Sequence, residues 1–234
     1  MALQKNVDLD YFAGHEGEGL EGFTQDTVAT AYLGMVQPGS TAAETHTPGT
    51  WRNSATDENF GPTVKVVVLA FKPVWTERSS EPPFSTVGRY EVNGIEVKID
   101  QPKPGQRGFA KMTNPLTGNK VEELFMYACM RPDAPEDGIL YFSPTAGSMR
   151  TCKQWNTMIR SQRLPNGSIA PIFAYEWELE LGVVNNPKNP KDQMTTFVRA
   201  IRGNIVSADL FTQQVQPQLS AAKNVTLLAA PEED

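Results

Sequence analysis

Residues 138–203 restrict the fold more than any other part of the chain. They read as a short apolar strand over 139–143, a helix over about 145–160, a long alternating strand over 172–183 and a last strand over 193–201. Only residues 185–191 separate the last two strands. That is too short for a crossover, so the pair must be antiparallel. Along 172–183, Phe173, Tyr175, Trp177, Leu179 and Leu181 fall on one side and Glu176, Glu178 and Glu180 on the other, because successive strand residues face opposite ways. The aromatic side belongs in a core, whereas an outward glutamate row repels phosphate. In the helix, Met149, Cys152, Trp155, Met158 and Ile159 gather at helical spacing, which makes Trp155 a plug for one end of a barrel. Arg150, Lys153 and Arg160 lie on other faces of that helix.

The same stretch is a basic island, with eight Lys or Arg against four acids in a chain of net charge −6. The overall charge excludes a protein that is basic all over. Segregated charge still lets a local positive surface attract a polyanion. Cys129 and Cys152 are the only cysteines, so no disulfide framework is implied and a reducing cytosol fits. No apolar run reaches bilayer length and the first residues lack signal-peptide character, so neither membrane contact nor export is expected. Eighteen Pro and eighteen Gly among short apolar runs point to a β-rich fold with long connections.

From the start of the chain, residues 1–22 are acidic and Gly-rich, a composition that leaves a flexible arm. Thr24 can cap a helix over 24–36 whose apolar face is Val28, Tyr32, Leu33 and Val36. Residues 37–62 read as a surface loop pinned by Trp51 and Phe60. Residues 64–75 are β-branched and almost continuously apolar, as in a central strand, and Pro73 should end its pairing. Residues 88–92 and 95–99 flank Asn93-Gly94, a strong hairpin signal. Residues 100–120 are basic and turn-rich, and residues 122–130 form another apolar strand.

Strand, strand, strand, helix, strand, strand is the connectivity of an OB-fold, whose sheet face and loops bind oligonucleotides or oligosaccharides. The expected fold is mainly β with a few helices, an OB-fold-like five-stranded Greek-key barrel with insertions and its helix between strands three and four. Strand one would be 64–75, strand two 84–99 and strand three 122–143 in pieces. The chain then divides into an acidic arm (1–22), an N-terminal helix and loop (23–62), the OB-fold domain (63–204) and a C-terminal helix with an acidic tail (205–234).

The run over 141–150, with Trp155, the Trp177 strand, residues 185–191 and Phe197 to Arg199, resembles bacteriophage single-stranded DNA-binding proteins of the OB-fold type. The resemblance implies a non-enzymatic protein without cofactor or metal. Such proteins coat replication and recombination intermediates in the host cytoplasm with little sequence preference. It also implies recruitment of replication proteins by an acidic C-terminal tail. This chain ends in Glu232, Glu233 and Asp234 without a terminal aromatic residue. Self-association is compatible with the resemblance and is not fixed by the sequence.

In that reading Lys72, Arg78, Arg89, Arg107, Lys111, Arg150, Lys153, Lys188 and Lys191 neutralise phosphates, and Trp75, Tyr90, Phe109 and Tyr141 stack on bases. The rival readings are a phage structural or assembly protein on the same scaffold and a metal-dependent nuclease using Asp133, Glu136 and Asp137. The nuclease reading is weaker, because those acids sit in a turn. His15 and His46 lack the neighbours of a zinc site, and no phosphate-binding glycine loop is present. Cys129 and Cys152 read as small core residues.

Overall fold

The computed structural model describes residues 30–81, 86–102, 110–186 and 189–223, with 146, 190 and 191 described by backbone alone. The chain is mainly β. Its strands are β1 (Leu33–Met35), β2 (Trp51–Asn53), β3 (Asn59–Gly61), β4 (Thr63–Arg78), β5 (Thr86–Glu91), β6 (Lys98–Asp100), β7 (Lys111–Thr113), β8 (Lys120–Met130), β9 (Leu140–Phe142), β10 (Tyr175–Asn186) and β11 (Asn189–Ile205). A short helix, α1 (Ala42–Thr45), precedes β2, and α2 (Met149–Ser161) joins β9 to β10. The C-terminal segment is helical through α3 (Ala208–Leu210), a π-turn (Phe211–Val215) and α4 (Gln216–Lys223).

The main sheet has eight strands in the order β11-β10-β4-β8-β7-β6, with β5 beside β4 and β9 beside β8. All its pairings are antiparallel. The expected five-stranded closed barrel is corrected here: among the described residues the sheet is open. Residues 31–37 link β9 to β11 without completing the ladder. Tyr141 N–H donates to the Ala31 carbonyl at 2.9 Å, Thr195 Oγ1 donates to the Val36 carbonyl at 2.7 Å, and the Gln37 amide makes two bonds to the Thr195 backbone.

β4 is apolar on both faces because both are covered. Val64, Val66 and Val68 join one core with Tyr127, Phe142, Trp155, Trp177, Leu179, Phe197 and Trp51. Val67 and Leu69 join another with Met126, Met130, Val215 and Ala222, beneath the C-terminal helix. The alternation of β10 holds as read: Trp177, Leu179 and Leu181 are buried and the three glutamates half-exposed. Each such apolar side chain contributes about 1.5–3 kcal/mol by leaving water. Phe173 lies before the strand and stacks on Phe211 at 5.6 Å, in the second core.

Three local expectations are corrected. The described end of the expected 24–36 helix is strand β1, paired with Trp51–Asn53. Spacing of i, i+3 over so few residues does not separate the two periods. Pro73 does not end β4. β10 pairs with β4 only as far as Val67 and the pairing of β4 with β5 starts only at Val74, so the ladder is open on that flank, where a missing N–H costs little. The 88–99 hairpin is a turn without a pair. Asn93 adopts φ 69° and Gly94 N–H bonds to the Glu91 carbonyl at 2.8 Å, yet β5 pairs with β4 and β6 with β7.

Candidate functional site

The candidate residues separate into three places. The first is the arm formed by the second half of β4 with β5, β6, β7 and the start of β8. There the cations meet acids across or along strands. Lys72 Nζ lies 3.5 Å from Glu91, Arg78 Nε 3.3 Å from Glu122 and Lys98 Nζ 3.3 Å from Asp100, while Lys120 also bonds Glu122. Lys111 is exposed on β7. Burial raises the Glu122 carboxyl, but Lys120 and Arg78 outweigh it and hold the group below its usual range.

Trp75 and Tyr90 are cross-strand neighbours. Trp75 is only 8% exposed, so its ring faces are covered by protein. The Tyr90 hydroxyl donates to Glu77 at 3.2 Å. Glu77 is itself buried and accepts from Asn114 at 2.9 Å, Thr117 at 2.5 Å and Asn119 at 2.8 Å. Burial pushes its pKa up, but the four donors prevail and its pKa lies below the ordinary carboxylate value. The Glu77 carboxylate therefore ties the 114–119 turn and β5 to β4. This node was not read from the sequence, because its donors lie 13 to 42 residues away.

In the second place Arg89 meets Tyr141 through Tyr32. Arg89 Nη1 donates to the Tyr32 hydroxyl at 3.0 Å, with its guanidinium 5.4 Å from that ring's centre. Tyr32 and Tyr141 are tilted rings 6.1 Å apart. Arg89 Nε is buried without a hydrogen-bond partner. Arg107, Phe109 and Lys188 lie outside the described residues, as does the side chain of Lys191 in β11.

The third place is α2. Its inner face is anchored by Cys152 and Trp155, both buried. Trp155 stacks on Tyr127 at 4.7 Å and meets Trp177 and Phe197 edgewise. Ser148 ties the helix start to β11, its hydroxyl accepting from Phe197 N–H at 2.9 Å. With that face fixed, Arg150, Lys153, Thr157 and Arg160 stand exposed at i, i+3, i+7 and i+10 on one outer stripe. The helix contains no acid. Arg163 follows immediately and is exposed. Arg202 reaches over from β11, bonding Gln162 at 2.6 Å with its guanidinium 5.2 Å from the Tyr175 ring. Among the described residues no carboxylate pairs with any of these five cations. Arg150, in the first turn, also opposes the helix dipole and deepens the positive potential there. Arg160, Arg163 and Arg202 were not among the residues read as a site. The first is legible in the helical spacing, while Arg202 needs the fold to bring it alongside.

The acids over 133–137 do not gather around an open position. Arg131 lies among them, 2.8 Å from Asp137 and 3.6 Å from Asp133, with Glu58 at 3.5 Å and the Phe60 ring centre 4.0 Å away. Among the described residues no group of three His, Cys, Asp or Glu could hold a metal ion. Burial pushes the Cys129 thiol well above its usual range and that of Cys152 up to about 12. Both sulfurs are therefore poor nucleophiles near neutral pH. No helix among the described residues is long and apolar enough to cross a membrane.

Comparison with protein-family models, with curated proteins and with solved structures finds no match to this chain.

Proposed function

We propose that the protein binds single-stranded DNA without catalysing a reaction, covering replication or recombination intermediates with little sequence preference. The observation that carries this reading is the unpaired cationic stripe of α2, continued by Arg163 and Arg202, on a chain whose net charge is −6. Such a stripe attracts a phosphate backbone by counterion release and reads no base edges.

The strand order adds support. β9, β8, β4, β10 and β11 are consecutive antiparallel neighbours, and α2 connects β9 to β10. On the proposed reading this order supports an OB-type arrangement, with β8 and β9 in the second and third positions and residues 86–113 inserted. The outer face of β4 and β8 is occupied by the C-terminal helix, which favours a path over α2 instead of that face.

Among the described residues no aromatic side chain is exposed, so binding here is mainly electrostatic. Titration of a labelled oligo-dT by anisotropy over a range of salt tests the reading. Five neutralised phosphates give a slope of log affinity against log salt of about −3.5. Affinity that is flat in salt, or equal for duplex of the same length, overturns it.

A further inference from the structure

We propose that the protein self-associates by antiparallel pairing of the outer edge of β11 in two copies, residues 198–204 meeting about a two-fold axis at Ile201. β11 ends the main sheet and pairs only with β10 among the described residues. The two halves of its outer edge are treated differently. At Thr195 the Gln37 side chain stands in for a neighbouring strand, donating to the carbonyl and accepting from the N–H, both at 3.0 Å. At Phe197 the Ser148 hydroxyl takes the N–H. Beyond Phe197 no described residue caps the edge.

Edge strands are usually guarded by charge that projects outward. Here both candidate guards are turned back onto their own chain. Arg199 bonds Glu180 of β10, with Nε at 2.8 Å, and Arg202 is held by Gln162 and the Tyr175 ring. Two side chains left on the segment are apolar and open, Val198 at 40% and Ile201 at 38% exposure, and the uncharged Asn204 ends it. A long, unguarded, apolar edge is a template for a further strand.

Self-complementarity selects a second copy as that strand. A two-fold axis perpendicular to the sheet keeps outward side chains outward, so residues pair symmetrically about the axis. With the axis at Ile201, isoleucine faces isoleucine, Arg199 faces Gly203 and Arg202 faces Ala200, and no like charges are opposed. An axis at Arg202 would set that arginine against itself. An axis at Ala200 would draw in Thr196 and Phe197, where Ser148 and Gln37 already occupy the edge.

The proposal is independent of DNA binding and is tested without DNA. Ile201→Cys, mildly oxidised, should form a covalent homodimer. Cys129 and Cys152 are fully buried and supply no background. Ile169→Cys, at a 71% exposed position in the loop after α2, should not cross-link. Sedimentation of the unaltered chain should show a mass rising from monomer to dimer with concentration, and Ile201→Lys, with its circular dichroism unchanged, should weaken association at least tenfold. A chain that stays monomeric throughout, or cross-links equally well through both introduced cysteines, overturns the proposal.

Discussion

The β4–β8 arm and the outer face of α2 carry the same kinds of residue and use them in opposite ways. In the arm, Lys72, Arg78, Lys98 and Lys120 each find a carboxylate across or along a strand. On α2, Arg150, Lys153 and Arg160 share a face with no acid on the helix. A cation beside an acid projects little field beyond a few ångströms in salt solution, while three cations on one face sum their potentials. Counting basic residues along the chain cannot make this distinction. What matters is which of them the fold leaves uncompensated.

The comparison is broken most directly by removing the stripe. The triple variant Arg150→Ala, Lys153→Ala, Arg160→Ala should lower affinity for oligo-dT about a hundredfold near 50 mM salt and flatten the salt slope by about 2, at roughly 0.7 per phosphate contact. Its melting temperature should stay close to that of the unaltered chain, because exposed substitutions away from caps and ion pairs shift stability by only about 0.5 kcal/mol. An unchanged salt slope would place the binding surface elsewhere.

The arm should answer to a different perturbation, acid. Glu77 has a folded-state pKa held below its ordinary value by four hydrogen-bond donors. The sign follows from linkage. The group favours the folded state at pH values above the carboxylate's unfolded pKa, and that contribution fades as pH drops through the lower folded value. Glu77→Gln replaces one acceptor oxygen by a donor facing other donors. It should cost about 1–2 kcal/mol near neutral pH and remove part of the acid sensitivity of chemical denaturation as pH falls through and below the ordinary carboxylate range. Binding to oligo-dT should change far less than in the stripe variant.

These two regions were unequally legible in the sequence. The double-sided burial of β4 and the alternation of β10 are visible because each rests on a local period. The stripe is half visible for the same reason: positions 150, 153 and 160 fall together on any helix. The arm is visible only in its local pairs, because the partners that tie its strands together are distant. Arg78 and Glu122 are 44 residues apart and Lys72 and Glu91 are 19, so Lys72 and Arg78 look like free phosphate ligands until the strands are paired. Asn93-Gly94 marks a turn correctly but cannot say which strands will flank it. Lys98–Asp100 is exposed along its whole length and has no buried face with which to select β5 over β7.

The smallest expected effect sharpens the comparison most. Lys72→Ala removes one exposed partner of an ion pair whose nitrogen and oxygen are 3.5 Å apart. Such pairs contribute between about 0 and 1 kcal/mol, so the melting temperature should scarcely move. If Lys72 serves Glu91, its loss frees one negative charge and removes one positive charge without touching a bound phosphate. Oligo-dT affinity should then fall less than threefold, and the salt slope should stay constant within error. If Lys72 instead leaves Glu91 to hold a phosphate, the slope should flatten by about 0.7, the share of one contact. The slope decides between these, because a change in net charge shifts affinity at every salt concentration in the same direction, and only a lost contact changes how steeply affinity responds to salt.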